Sequence, residues 1–310
     1  MNRSELKRYF FLSLTLFLIL SAYICVFAQD SGEKYIENDW NFVDHSMDVS
    51  KGIPGDAVGV LESIRDTKKL RVATEPYFPP QEFIDPSKSG QEVYVGPDME
   101  LARLIAERMG VMLEIVPMDF SEVLSAVDDG DCDLAISALA FTPARAMMVE
   151  LSKGYYFSSD DSGNGLLIRT ADRDRYHDVE DFASAVIAAQ SGSLQESLGA
   201  ENIRNYKEFI RLNSVQDVYA ALESGMADCA VVDVETAETY IEKDSDGTLM
   251  VLPDVRFHLE EQYKGDRIAA QKGQIQLIYF VNGVIDEVLE SGQYMEWYRE
   301  ADELAKSLGL

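Results

Sequence analysis

The sequence predicts an α/β fold built as two lobes, and two observations support this prediction. Strand-like runs such as "LRVAT" (70–74) and "MLEIV" (112–116) alternate with helix-like runs such as "GPDMELARLIAERMG" (96–110). Such alternation is typical of a mainly parallel sheet. In addition, "SEVLSAVDDGDCDLAISA" (121–138) resembles "QDVYAALESGMADCAVVD" (216–233), because each has an amphipathic helix, a glycine, an acid and an apolar strand. This repeat predicts two lobes of similar architecture, and its alternative is the general likeness of any two helix–strand units.

The first lobe is expected to begin with a short helix over 56–67. The helix at 96–110 has Pro97 in its first turn and Gly110 at its C-terminal end, where these residue types are favoured. A further helix is expected at 121–130 and a buried strand at 133–139. These elements predict a complete α/β unit.

Two segments are expected to cross between the lobes. Residues 154–170 are rich in Gly, Ser and Asp before a short strand, and residues 265–273 form a strand between glycines. Two amphipathic helices, predicted within 274–308 from apolar residues at helical spacing, then return the chain to the first lobe.

The N-terminus has the features of a targeting segment. Lys7 and Arg8 precede an apolar run that ends in Val-Phe-Ala at residue 28, as in a cleaved signal peptide. The run is also long enough to stay as an anchor. The predicted organisation is therefore a signal peptide (1–28), an N-terminal extension (29–55), a first lobe (56–164, completed by 269–310) and a second lobe (165–268).

The net charge and the positions of the cysteines and histidines argue against several functions. The chain has 27 Lys and Arg against 55 Asp and Glu, which argues against nucleic acid and anionic membrane surfaces as partners. Cys132 and Cys229 each precede a strand in a different lobe, so free buried thiols are favoured over a disulfide. No Cys/His spacing indicates a metal site, and no cofactor is expected; the histidines are scattered, at His45, His177 and His258.

The chain resembles the family 3 extracellular solute-binding proteins, the polar amino-acid receptors of ABC importers, over about residues 56–306. The resemblance rests on the order of "LRVATEPYFPPQEF", "YVGPDMELARLIAERMG", "VPMDFSEVLSAVDDGDCDLAISALAFTPAR", "VELSKGYYFS", "VIAAQSGSLQESL" and "MADCAVVDVETAETYI". It implies a periplasmic-binding-protein-like fold, with two α/β lobes joined by two crossing strands and closing on a ligand between them. It further implies a monomeric, non-catalytic receptor in the periplasm or at the outer face of the cytoplasmic membrane. Such a receptor passes an amino acid or amino-acid-like small molecule to a membrane permease.

The resemblance assigns charged site residues. Arg145, in the "TPAR" turn, matches the arginine that holds the ligand's α-carboxylate, for which a planar guanidinium is suited. Asp233 matches the acid that takes the α-ammonium, although it can also cap the following helix. Glu75 matches an acid that contacts the ligand's side chain, and its alternative is a solvated loop carboxylate.

Aromatic and small residues complete the predicted site. Phe78 and Phe120 match positions that sandwich the ligand's side chain, whereas core packing is expected for Tyr77 and Phe83. Gln190 and Ser193 open a helix whose N–H groups can face an anion or carbonyl, with Ser193 alternatively serving as its cap. The matching motifs also include Ser137, Ala138, Ala140, Gly192 and Leu194.

Two positions depart from the family pattern. Relatives usually have Thr or Ser where Ala140 stands, and often Thr where Leu194 stands. One hydrogen bond lost to a charged group costs about 1.5–3 kcal/mol. We therefore expect a bulkier, less polar or modified amino acid as the ligand.

Two other functions stay open. Cyclohexadienyl dehydratases are similar to this family and share its fold, and Asp233 or Glu75 would then act as a general acid. A sensory module that docks on another protein is the second alternative. The sequence contains no recognisable nucleophile triad, metal cluster or phosphate-binding glycine loop.

Overall fold

The computed structural model describes residues 45–157, 163–242, 247–259 and 263–310. The predicted signal peptide and most of the predicted extension lie outside these residues. Ser46–Leu310 forms a compact unit. Among the described helices, none combines the length and the apolar character that crossing a membrane requires.

The strands, in chain order, are β1 (Lys69–Thr74), β2 (Phe83–Ile84), β3 (Tyr94–Val95), β4 (Met112–Pro117), β5 (Leu134–Ala140), β6 (Val149–Leu151), β7 (Asn164–Arg169), β8 (Val186–Gln190), β9 (Glu208–Leu212), β10 (Cys229–Asp233), β11 (Leu249–Phe257) and β12 (Asp266–Gln271). The α-helices are α1 (Gly59–Thr67), α2 (Pro97–Met109), α3 (Phe120–Asp128), α4 (Pro143–Met148), α5 (Leu194–Asn202), α6 (Val215–Glu223), α7 (Val234–Ile241), α8 (Ile275–Ser291) and α9 (Gln293–Leu308). The predicted elements are present, with ends that differ by a few residues.

One five-stranded sheet has the order β4-β1-β5-β12-β6. Its strands β4, β1 and β5 run parallel, and β12 is antiparallel to β5 and β6. Helices α2 and α8 pack on this sheet, and α3 also contacts it. Because helices cover this sheet, its strand β5 is almost wholly buried and mostly apolar along its length. This sheet, with α1–α4, α8 and α9, is called lobe 1 below.

The second five-stranded sheet has the order β11-β7-β10-β8-β9. Strands β10, β8 and β9 are parallel, and β7 is antiparallel to β10 and β11. Two separate apolar clusters form on this sheet, one with α5 and the other with α6 and α7. This sheet with α5–α7 is called lobe 2. The two sheets confirm the predicted two-lobe α/β fold.

The sequence repeat has the same local structure in both lobes. The Asp133 carboxylate accepts a hydrogen bond from the Arg71 N–H, and the Asp228 carboxylate accepts one from the Val186 N–H, each at 2.8 Å. In return, the N–H of each aspartate donates to the carbonyl of the same partner. Each acid therefore ties the start of one strand to its parallel neighbour.

Two chain segments run from one sheet to the other, between β6 and β7 and between β11 and β12. They are hydrogen-bonded to each other near lobe 1, where the Asp266 N–H donates to the Tyr156 carbonyl at 2.9 Å. Strand β12 pairs with β5 from Asp266 onward. The predicted residue limits of the lobes, 164/165 and 268/269, remain a prediction.

The end of the predicted N-terminal extension packs on lobe 1. The Met47 N–H donates to the Tyr279 carbonyl on α8 at 2.9 Å, and Val49 is buried in the lobe 1 core. A Cβ at Gly283 would lie 2.1 Å from the Met47 carbonyl oxygen. From Ser46 onward, this segment is thus part of the folded unit.

Both described cysteines are free and buried. Cys132 precedes β5 in lobe 1, and Cys229 begins β10 in lobe 2. Burial raises the pKa of the Cys132 thiol to about 11, and it also raises the pKa of Cys229. Both thiols are therefore protonated and unreactive at neutral pH.

Gly96 fixes the loop that leads into α2, and its replacement is expected to be costly. Its φ of +116° disfavours an L side chain, and a Cβ would lie 2.1 Å from the Gln81 carbonyl oxygen. Gly96→Ala is expected to lower the free energy of unfolding by about 3 kcal/mol or more, because backbone must shift. Denaturant unfolding measures this change.

Gly90→Ala is the matched control. Gly90 also has a positive φ, +61°, but a Cβ there meets no atom within 4 Å. Its expected cost is about 1 kcal/mol, from the backbone conformation alone. Equal costs at the two positions would show that the contact with Gln81 does not limit residue 96.

Candidate functional site

A cavity of about 320 Å³ lies between the two lobes. It is reached by the carboxyl ends of strands from both sheets: Glu75 follows β1, Ala140 ends β5, Gln190 ends β8 and Asp233 ends β10. This is where α/β sheets commonly place ligands. The structure brings together, on its lining, Glu75, Phe78, Phe120, Ser137, Ala138, Ala140, Arg145, Gln190, Ser193, Leu194 and Asp233.

Arg145 bridges the two lobes. Its Nη1 donates to the Ala140 carbonyl at 2.7 Å and its Nη2 to the Gly192 carbonyl at 3.1 Å. Gly192 was predicted as a ligand-binding residue, but it is not among the residues that line the cavity. Its carbonyl instead accepts the hydrogen bond from Arg145. The guanidinium also lies over the Phe120 ring, 5.7 Å from its centroid.

The Arg145 guanidinium is buried without a carboxylate partner within 4.0 Å in the described parts of the chain. Burial lowers its pKa to about 10, and the charge of Asp266 acts in the opposite direction. It is therefore still charged at neutral pH. Its two carbonyl bonds leave N–H donors for an anion, and a ligand carboxylate could fill that role bidentately.

Asp233 caps α7, as one of the two alternatives expected from the sequence, and it also lines the cavity. Its contact with a ligand's ammonium group remains a prediction. Its Oδ1 accepts bonds from the Thr236 N–H at 2.9 Å and the Thr236 hydroxyl at 3.0 Å. Burial raises the pKa of Asp233 to about 6, although the Thr236 bonds oppose this shift. A backbone hydrogen bond from Glu235 to the same carboxylate acts in the same direction as the Thr236 bonds.

Glu75 is buried, which rules out the solvated loop carboxylate considered from the sequence. Only 2% of the residue is exposed. Burial raises the pKa of Glu75 to about 8, while Gln190 from lobe 2 lowers it. Its Oε1 has no hydrogen-bond partner. An acid held this way favours a cation beside it.

Two further buried acids, Glu82 and Asp98, lie near Glu75, and the sequence did not indicate them. The Ser137 hydroxyl accepts a bond from the Glu75 N–H at 3.0 Å and donates to Glu82 at 2.8 Å. Burial, with the nearby Asp98 charge, raises the pKa of Glu82 well above its usual range. Asp98 accepts bonds from the Ala138 N–H and two tyrosine hydroxyls. Glu82 lies in a loop and Asp98 in the first turn of α2, and an acid at either kind of position normally indicates a solvated side chain.

In the lobe 2 turn at 190–194, the side chains of Ser193 and Gln190 are hydrogen-bonded to other protein groups. The Ser193 hydroxyl accepts from the Glu196 N–H at 3.0 Å and donates to the Gln190 carbonyl at 2.7 Å, so it acts as the helix cap. Gln190 donates to the Asn213 carbonyl at 3.1 Å. Leu194 has no hydroxyl, and Ala140 supplies only its carbonyl.

The aromatic predictions have different outcomes. Phe78 and Phe120 line the cavity, whereas Phe83 is buried in the core as expected. The prediction that Tyr77 packs in the core was wrong, because 51% of Tyr77 is exposed. The Tyr77 carbonyl accepts a hydrogen bond from the Gln216 side chain of lobe 2 at 2.9 Å.

Carboxyl groups outnumber basic groups around the cavity. Asp266 and Glu235 also line it, as does Glu82, and none of these was predicted. Burial raises the pKa of Asp266 well above its usual range, with help from the Asp98 and Asp233 charges. Among the described lining residues, the acids are Glu75, Glu82, Asp233, Glu235 and Asp266, and the Lys and Arg residues are Arg145 and Lys264. Burial keeps Glu75, Glu82 and Asp266 protonated in the absence of a cation, and a cation bound beside them would favour their ionised form. The cavity is therefore suited to a molecule with net positive charge.

The fold and this inter-lobe cavity define a solute-binding protein. The model of the bacterial extracellular solute-binding proteins, family 3, matches residues 70–300. The chain belongs to this family.

Known relatives agree with this assignment. The chain is 28% identical, over 228 residues, to the arginine-binding extracellular protein ArtP of Bacillus subtilis, covering 73% of this chain and 83% of the relative. It is 24% identical to the L-cystine-binding protein TcyJ of Escherichia coli, covering 76% and 82%. A solved structure of the substrate-binding protein AbpA of Streptococcus pneumoniae, bound to L-arginine, has 31% identity and a TM-score of 0.68, covering 78% of this chain and 98% of AbpA.

Proposed function

We propose that the chain is an exported, non-catalytic receptor that captures an amino acid with a cationic side chain for the permease of an ABC importer. The excess of carboxyl groups around the cavity, opposite the buried guanidinium of Arg145, carries the proposal. ArtP, which is named for arginine binding, and the solved structure of AbpA with bound L-arginine support it.

Each charged group of such a ligand has a complementary partner. Arg145 of lobe 1 takes the α-carboxylate, and Asp233 of lobe 2 takes the α-ammonium. Glu75 takes the side-chain cation, with Phe78 and Phe120 beside the side chain. Because the ligand's main-chain groups are held from opposite lobes, binding favours closure. These roles, with the contribution of Gln190 and of the other predicted lining residues, belong to the proposal.

A basic ligand differs from the less polar ligand expected from Ala140 and Leu194. These residues remove two hydroxyl donors for the carboxylate, but five carboxyl groups line the same cavity. Burial raises the pKa of three of these groups, Glu75, Glu82 and Asp266. A zwitterion brings no net charge that would favour their ionised form, whereas a basic amino acid brings one more positive charge. We therefore favour charge over apolar bulk as the source of selectivity.

An enzyme of the dehydratase type is the second candidate. Glu75, with its raised pKa, would be protonated at neutral pH and could act as a general acid. A solved ancestral amino-acid-binding protein, AncCDT-1, described as a precursor of cyclohexadienyl dehydratase, has the same fold with 24% identity and a TM-score of 0.66. The binding-protein relatives favour the receptor.

A thermal-shift comparison tests the proposal. The protein is unfolded and refolded to remove carried ligand, and then heated with L-arginine, L-lysine, L-citrulline, L-glutamine or L-glutamate. A ligand at 100 times its Kd stabilises by about 2.7 kcal/mol. L-Arginine is expected to raise the Tm by several degrees and L-citrulline, its uncharged near-isostere, by much less.

The same experiment separates the alternatives. Equal shifts with L-citrulline and L-arginine would rule out selection by charge while leaving an amino-acid receptor. An absence of shifts with all amino acids would reject the receptor. Consumption of prephenate with turnover, followed by absorbance, would instead identify the enzyme.

A further inference from the structure

A hydrogen bond connects the last helix of lobe 1 to lobe 2. The Tyr298 hydroxyl on α9 donates to the Glu235 carboxylate on α7 at 3.0 Å. The Tyr156 hydroxyl approaches the two oxygens of the same carboxylate at 3.4 and 3.3 Å. An ionised carboxylate only accepts hydrogen bonds. Two phenols that belong to lobe 1 therefore hold one carboxylate of lobe 2.

Tyr298 is fixed in lobe 1 by a series of aromatic contacts. Its ring stacks on Tyr156, with centroids 5.0 Å apart and planes 13° from parallel. Tyr156 contacts the Tyr294 ring at 5.6 Å, and the Tyr294 hydroxyl donates to the buried Asp98 at 2.8 Å. Helix α9 also packs on α2. The Tyr298 hydroxyl thus has a defined position relative to lobe 1.

Glu235 moves with the residue proposed to hold the ligand's ammonium group. Asp233 caps α7 through the Thr236 N–H, and Glu235 lies in the first turn of the same helix. A lobe motion that brings Asp233 into the cleft must carry Glu235 as well. Tyr298, in contrast, is absent from the described lining of the cavity, so it can affect binding only through another residue.

We propose that Tyr298 is a positioning residue whose bond to Glu235 latches the lobes closed, so that it prolongs ligand residence without touching the ligand. This inference rests on the proposed function, because it requires lobes that close around a captured solute. A bond made only in the closed state stabilises that state by its differential contact. Its loss is expected to act on dissociation, since encounter with the ligand occurs before closure.

Tyr298→Phe removes only the hydroxyl and keeps the ring stack. Stopped-flow binding of L-arginine is expected to show a dissociation rate about tenfold faster, with an association rate unchanged within about twofold. Small-angle X-ray scattering without added amino acid is expected to show a larger radius of gyration than for the unaltered protein. Tyr240→Phe is the matched control, because its hydroxyl bonds to Glu223 within lobe 2, and neither readout should change.

A double-mutant cycle isolates the bond. In a Glu235→Ala background, Tyr298→Phe should have no further effect on the dissociation rate. If Tyr298→Phe acted by destabilising the protein in general, it would speed dissociation in this background as well. Unchanged dissociation and unchanged scattering for Tyr298→Phe would overturn the latch. If the unaltered protein binds no amino acid at all, the proposed function fails, and the scattering comparison alone decides for or against the latch.

Discussion

Arg145→Ala is expected to weaken L-arginine binding by about 30- to 4,000-fold, the range that follows from removing one partner of a buried charge pair. The guanidinium is buried, keeps its charge, and has no carboxylate partner among the described residues. Its loss also removes the bond to the Gly192 carbonyl, which connects the lobes. Arg145→Lys should lose most of the same affinity, because an ammonium cannot reproduce the planar fork. Isothermal titration calorimetry measures both variants.

Arg169→Lys controls for the general cost of altering a partly buried arginine. The Arg169 guanidinium also donates to two carbonyls, those of Leu222 and Ala227, but it does so inside lobe 2 and away from the cavity. This variant should lower the Tm while keeping the affinity for L-arginine. Near-normal binding by Arg145→Ala would contradict a carboxylate site at this residue.

The affinity for L-arginine is expected to increase with pH, by up to about 50-fold between pH 6 and pH 8 from one group that titrates near 8. Burial holds the pKa of Glu75 at about 8. Below that pH the carboxyl carries a proton, which a bound cation must displace. Binding therefore releases a proton, and raising the pH favours it until Glu75 is ionised beforehand.

Glu75→Gln should bind L-arginine weakly and lose most of this pH dependence. Glu92→Gln is the control, since Glu92 is exposed and does not line the cavity. Calorimetry in buffers of different ionisation enthalpy counts the released protons directly. A pH dependence that persists unchanged in Glu75→Gln would assign the proton to another group, such as Asp233.

The local elements were predictable because their signals are local. Pro97 and Gly110 mark the ends of α2, and Gly110 has the left-handed φ of 68° that the prediction requires. The repeated Asp133 and Asp228 indicated like units, and their bonds are the same in both lobes. The segment from Ser46 to residue 55 has no periodic pattern, and its packing on α8 depends on contacts far away in the chain.

The candidate site was predictable where residues belong to a motif at the end of a strand. Arg145, Asp233 and Glu75 lie on the cavity as their motifs indicated. Glu82 and Asp266 could not be found in this way, because a buried carboxyl has the same sequence signature as an exposed one. Tyr77 was misplaced for a related reason: an aromatic residue in an apolar loop does not reveal which side of the loop it faces.

Strand β12 lies between β5 and β6 at residues 266–271, although its neighbours in the sheet end at residue 151. During synthesis from the N-terminus, all strands of the lobe 2 sheet are present once Phe257 has been added. The sheet of lobe 1 still lacks its inner strand β12 at that point. Contacts between distant segments form slowly. We therefore expect lobe 2 to fold first, and a chain that stops before Asp266 to leave the edges of β5 and β6 unpaired, open to aggregation and proteolysis.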